Sequence, residues 1–333
     1  MDTRLRTAVF AVVCAALMAI ISCNDAERTV LSSPVRALSN YTFSPASSLQ
    51  ERVVPAPQFM LSYLRAMDQR SDYSNHVFTA EEQRTVNDAI ALLPSAVSSI
   101  MRERLVAFYF VDNFLGGGMA DWLFDGRSNV YCFLIFNPAT LTQSVSSWLT
   151  MKDSSCFIPD GTNRVVVNCG ERYRAFLYIL LHEGTHAADY AGEITPYTER
   201  TLFTLQRRTV SAKPFTDRVW ASYNVPERKY DFPLRTNITV YGFGGGPKIA
   251  MRDAAALYRS LMQTPFVSLY AATSWAEDLA DNTALRYMTE TLRIPYVISV
   301  VSNKIDSVTV RPAEHALVRH RTNRLIPGEG KKQ

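Results

Sequence analysis

The stretch Arg172–Tyr190 constrains this chain more than any other. Phe176, Leu177, Ile179, Leu180 and Leu181 make its first half almost wholly apolar, so the helix predicted here is buried. Inside it stand His182-Glu183-Gly184-Thr185-His186. Residues four apart share one helical face, so the two imidazoles lie side by side. Buried imidazoles need hydrogen-bond partners or a metal ion. Two core histidines satisfied by neighbours would meet that demand. So would a bound ion, with Glu183 beside it as a general base for an attacking water.

Structural zinc takes four protein ligands, whereas catalytic zinc takes three and keeps one position open. A third ligand must then come from elsewhere, and Pro265–Asp281 offers the best set. This segment reads as a loop followed by a helix. Thr273 or Ser274 can cap the helix, and Glu277 stands three residues after Ser274, a capping-box spacing. Glu277 and Asp281 are four apart and share a face. Glu277 could therefore serve as a cap or as a metal ligand. Asp281 could accept a hydrogen bond from the far nitrogen of a ligand histidine.

The pairing of H-E-x-x-H with E-x-x-x-D resembles the gluzincin metallopeptidases, the thermolysin-like group. The resemblance implies one Zn2+ per chain, held by His182, His186 and Glu277. It also implies Glu183 as general base and Asp281 as the support of a ligand histidine. Tyr270-Ala271-Ala272-Thr273-Ser274-Trp275-Ala276-Glu277 is similar to the segment around the third ligand in the catalytic domain of anthrax lethal factor and its relatives. There a tyrosine seven residues before the ligand glutamate faces the metal, which implies that Tyr270 stabilises an oxyanion. A phenol is a hydrogen-bond donor at neutral pH and suits that role; a core tyrosine with a satisfied hydroxyl is the plain alternative. The resemblance covers Leu180–Tyr190 and Phe266–Asp281. The gap from His186 to Glu277 exceeds that of thermolysin-like enzymes, so an insertion is expected at about 194–265. Asp189 and Glu193 are nearer alternatives for the third ligand.

The first 22 residues read as an export signal. Arg4 and Arg6 precede an apolar run, Ala8–Ile21, that is short for a membrane span. The run leads into Ile20-Ile21-Ser22-Cys23, which resembles a bacterial lipobox. That resemblance implies an acylated Cys23 and a membrane-anchored, extracytoplasmic protein. An ordinary secretory signal, or a short uncleaved anchor, is the other reading. Residues 23–54 are Ser-rich and carry Pro34 and Pro45 without periodicity, so a flexible tether is expected. Residues 55–333 form the remaining domain.

The formal charge of +4 is small for 333 residues, and no basic and aromatic recognition pattern accompanies it. Nucleic acid is therefore not expected as a partner. Cys156 and Cys169 flank the turn Pro159-Asp160-Gly161 and could bridge a hairpin in an exported protein. Cys132 reads as a buried thiol.

Pro57–Arg70 and Thr79–Phe108 show helical spacing, the second broken near Pro94. Phe108–Val111 and Val130–Phe136 are rich in β-branched and aromatic residues and read as strands. Gly116–Trp122 lies between them, as a candidate edge strand for substrate backbone or as a turn. Tyr241-Gly242-Phe243-Gly244-Gly245-Gly246-Pro247 reads as a turn or a cleft wall, and lacks the G-K-[ST] of a phosphate loop. His315 and His320 fall in a basic tail and would not share a helical face.

The expected class is α+β: a zincin-like metallopeptidase domain, mostly helical, with a small mixed sheet before the zinc helix. The expected activity is zinc-dependent hydrolysis of peptide or protein substrates. The rivals are an inactive zincin-fold lipoprotein acting as a binding module, and a zinc amidase acting on cell-wall peptides.

Overall fold

The computed structural model describes residues 32–127, 129–196, 213–302 and 308–326. The export signal, Cys23 and residues 197–212 of the expected insertion lie outside the described residues. Among those described, no helix is long and apolar enough to cross a membrane.

The chain is α+β. Its main sheet has four strands: β1 (Ser74–Asn75), β2 (Leu105–Asp112), β3 (Gly118–Phe124) and β4 (Val130–Phe136). Their spatial order is β1-β2-β4-β3. Strands β2 and β4 run parallel, with Phe108 opposite Leu134, and β3 runs antiparallel to β4, with Ala120 opposite Leu134. Every residue of β2 but the last is buried. A strand covered on both faces needs no polar alternation, which is why its sequence is a continuous apolar run. Phe108, Phe110, Leu134 and Phe136 face the larger core cluster, while Tyr109, Val111, Phe133 and Ile135 face a smaller one.

Helix α1 (Gln58–Asp68) covers the smaller side with Met60, Leu61 and Leu64. Each such side chain contributes about 1.5–3 kcal/mol on full burial. Helices α2 (Ala80–Ala91) and α3 (Ser95–Arg104) contribute to the larger cluster. Thr79 and Glu82 close a reciprocal capping box at the start of α2. The expected helix to Phe108 ends four residues earlier, because Leu105 already pairs with Cys132.

The segment expected as a free tether is packed from Val35 onward. Val35 and Leu49 are buried, and Ala37 and Val53 bridge to Phe124 and Phe108 of the sheet. Arg52 is buried too. Its guanidinium donates to the carbonyls of Met101, Arg102 and Leu105, at 2.9, 2.8 and 2.5 Å. Those carbonyls lie at the C-terminus of α3, where a cation is favoured.

Helix α4 (Val145–Ser154) starts on the Ser144 cap and precedes β5 (Asn163–Asn168). Strand β5 pairs with β6 (Val297–Ser302), which pairs with β7 (Val308–Val310), a second sheet of three strands. Phe157–Ile158 instead pairs in parallel with Ile249–Ala250. The two runs flanking Pro159-Asp160-Gly161 thus join different sheets, and no hairpin places Cys156 across from Cys169. Both cysteines, and Cys132, are free and buried, which corrects the expected bridge.

Helix α5 (Ala175–Gly192) carries the histidines, and 13 of its 18 residues are buried. It packs against the main sheet, α3, α4 and α7 (Trp275–Arg286). Between them in sequence lies α6 (Ala254–Leu261), at the end of the insertion.

Candidate metal centre

Two helices build the site. Helix α5 presents His182 and His186 from adjacent turns, and α7 presents Glu277 against them. His182 Nε2 lies 3.1 Å from Glu277 Oε2, His186 Nε2 lies 3.4 Å from the same oxygen, and the two Nε2 atoms are 3.2 Å apart. Ser274 caps α7 by accepting from the Glu277 N–H at 3.3 Å. The capping-box spacing is therefore half used, since the Glu277 carboxylate turns to the imidazoles instead.

Asp281 is fully buried one turn further along α7. Its Oδ1 accepts from His182 Nδ1 at 2.8 Å and from the Tyr178 hydroxyl at 2.6 Å. Its Oδ2 accepts from the Ser268 hydroxyl at 2.5 Å and from Lys152 Nζ at 3.2 Å. In the neutral ring the Asp281 bond holds the proton on Nδ1, which leaves the Nε2 lone pair toward Glu277 and His186. That tautomer is the one a metal ligand requires.

The donor set fits a divalent ion of the zinc type. Tetrahedral zinc with bonds of about 2.0–2.1 Å keeps its ligand atoms about 3.3–3.4 Å apart. The three edges found here, 3.1, 3.2 and 3.4 Å, have that size. Two imidazole nitrogens and a carboxylate oxygen form the one group among the described residues that could hold a metal ion. Two nearer alternatives are otherwise engaged. Asp189 accepts from the backbone N–H of Ile194 and Thr195, at 2.8 and 2.6 Å, and Glu193 is paired with Lys213 at 3.0 Å. His315 and His320 are not part of the group.

No family model, curated protein or solved structure matches this chain.

Electrostatics follow from burial and crowding. Burial opposes charge on His182, yet its bonds to Asp281 and Glu277 outweigh that and raise it to about 10. His186 is raised as well, with burial overcome mainly by Glu277. Burial likewise opposes charge on Glu277, and the imidazoles hold it well below the usual carboxylate range. Glu183 is pushed upward by burial, the direction suited to a base working near neutral pH.

Glu183 lies between α5 and β3, and its carboxylate accepts from the Ala120 N–H. Gly118 permits this approach. A Cβ there would come within 2.8 Å of Glu183 Cγ and of Ile179 Cγ2, closer than real contacts allow. The stretch Gly116–Trp122 is thus split: Gly118 onward forms the sheet edge, and the residues before it form the turn.

Tyr270 lies against His182. Its ring stacks on His182 at 5.7 Å, inclined by 17°, and its hydroxyl donates to Glu277. Burial raises the phenol well above its ordinary value, so it remains a donor. A cleft of about 70 Å3 opens here, lined among others by Gly118, Glu183, Tyr270, Tyr241 and Phe243. Tyr241 accepts from Trp148 Nε1 at 2.9 Å and so both packs and lines the cleft wall.

Sequence reasoning missed Tyr178 and Lys152. Tyr178 stands four residues before His182, so helical spacing alone could have found it. Lys152 belongs to a buried face, Trp148, Leu149, Lys152 and Asp153, where a lysine at core spacing was the available signal.

Proposed function

We propose that this chain is a zinc-dependent metallopeptidase of gluzincin type. The observation that carries the proposal is the triangle of His182 Nε2, His186 Nε2 and Glu277 Oε2, backed by Asp281 on His182 Nδ1. His182, His186 and Glu277 would hold the ion. When bound, zinc polarises a carbonyl and acidifies water toward neutrality. The chain's own groups do the rest. Glu183 accepts the proton of the attacking water and returns it to the leaving amine. Tyr270 donates to the oxygen on which negative charge develops. Strand β3 is the edge of the main sheet beside Glu183, and in this reading an extended peptide lies along its Gly118 end, which lines the cleft.

In this reading the protein acts outside the cytoplasm of a bacterium, anchored by a lipid on Cys23. The lipobox-like Ile20-Ile21-Ser22-Cys23 after a short apolar run supports that placement. The substrate is a peptide or a protein.

The test is the metal content of the purified protein beside a Glu277→Ala variant. The expected result is close to one zinc per wild-type chain, much weakened in the variant, with metal-dependent cleavage of casein. No zinc after reloading would replace the enzyme with a binding protein. Zinc held at full strength by the variant would remove Glu277 from the ligand set.

A further inference from the structure

Lys152 is 2% exposed, and its ammonium ends inside the candidate site. Burying a lysine is costly unless its charge is matched. The match here is specific. Nζ lies 3.2 Å from Asp281 Oδ2, hydrogen-bonds the Tyr178 hydroxyl, and sits 4.4 Å from the centroid of the Tyr270 ring. It is the one lysine or arginine among the residues lining the cleft, which also receives the buried carboxylate of Glu183. Its three donors point to a carboxylate, a hydroxyl and a ring face, so none is free for a ligand.

A cation whose only task was to neutralise Asp281 would have no need of the Tyr270 ring. This one is wedged between the two. A cation on the face of a phenol is attracted by the ring electrons, fixes the ring, and draws density from the hydroxyl, which makes that hydroxyl a stronger donor.

We propose that Lys152 is a positioning residue that acts through Tyr270: its ammonium, held by Asp281 and Tyr178, orients the phenol and strengthens its donation to the oxyanion. The proposal rests on the peptidase reading and adds to it a third helix, α4, as part of the site.

The test compares wild type with Lys152→Met, Lys152→Gln, Tyr270→Phe and the double variant Lys152→Met/Tyr270→Phe. Four quantities are measured: zinc content, melting temperature, kcat and KM on labelled casein, and binding of phosphoryl-leucyl-tryptophan by calorimetry. The last is a phosphoramidate whose tetrahedral anion mimics the oxyanion. Both neutral variants are expected to keep their zinc, to lose about 10-fold or more in kcat with KM within about two-fold, and to lose phosphoramidate affinity in parallel. Lys152→Met should add nothing once Tyr270 is Phe, because the two act as one unit. Additive losses would overturn the proposal. So would full activity in Lys152→Gln, which keeps hydrogen-bonding groups and lacks the charge. A lower melting temperature with kcat intact would make Lys152 purely structural. Wild type that neither holds zinc nor cleaves casein would instead defeat the peptidase reading itself.

Discussion

Asp278 and Asp281 stand three residues apart on α7, both fully buried and both paired with a cation, yet the helix uses them in opposite ways. Asp281 receives donors on both oxygens, from His182, Tyr178, Ser268 and Lys152. Despite burial, those partners hold it well below the usual carboxylate range. Asp278 receives Trp220 Nε1 at 2.8 Å and Arg321 at 2.5 Å on one oxygen, and Oδ1 has no partner among the described residues. Burial prevails there and lifts it to about 6. The saturated carboxylate belongs to the site. The half-satisfied one clamps the C-terminal segment and the Trp220 region onto the outer side of the same helix. What separates them is the number of donors aimed at each group, since both are equally dry.

Four measurements can break or sharpen this contrast. The largest effect is expected outside the pair, at the base: Glu183→Gln should lower peptidase activity by about 10²–10⁴-fold while zinc content is unchanged. A fully active variant would end the assigned mechanism. Next, Asp278→Ala should cost about 3–5 kcal/mol of stability by leaving Arg321 and the Trp220 Nε1 buried without their acceptor, with metal affinity hardly altered. Asp281→Asn should do the reverse in kind, weakening metal binding about 10–100-fold, as is usual when the partner of a ligand histidine is lost. Denaturant unfolding and zinc titration of both variants decide the matter, and identical profiles would erase the distinction. A smaller effect is expected at Gly118→Ala, where overpacking against Glu183 and Ile179 should cost about 1–3 kcal/mol and lower activity.

The contrast also has a pH signature in the metal-free protein. His182 at about 10 and Asp278 at about 6 are raised above their unfolded values. Their stabilisation is complete below those unfolded values, about 6.5 and 3.9, and is lost as pH rises through the folded ones. Asp281 and Glu277 are lowered, so theirs is present above about 4 and lost as pH falls further. The melting temperature should therefore rise from alkaline pH to a maximum near pH 5 and fall below about pH 4. Zinc affinity should run the other way over the upper range, since protons and metal compete for the same nitrogens. A melting curve flat between pH 5 and 9 would contradict the pairing described for His182.

The site was legible in the sequence wherever chemistry is written at helical spacing. His182 with His186, and Glu277 with Asp281, each lie one turn apart, so two short motifs bring four side chains to facing surfaces. The strands were legible as well, because burial on both faces leaves unbroken apolar runs. Lys152 was not, since nothing local distinguishes a lysine that turns inward from one in water. The packed segment 32–54 escaped for a related reason. Val35, Leu49 and Arg52 hold it with irregular spacing, and periodicity cannot register contacts that obey no period. The cysteines misled because strand partners are chosen by the whole fold: Phe157–Ile158 and Asn163–Asn168 are neighbours along the chain and belong to different sheets.

That early packing also limits reach. Had the chain been free to Val54, Cys23 would connect to the domain through a leash of roughly 110 Å at full extension. With Val35 already buried, roughly a dozen residues separate Cys23 from the packed domain, a span of at most about 40 Å. On a membrane anchor, such a protein would patrol only a thin shell above the lipid surface, so its working concentration toward neighbouring membrane proteins would far exceed that toward anything dissolved at a distance.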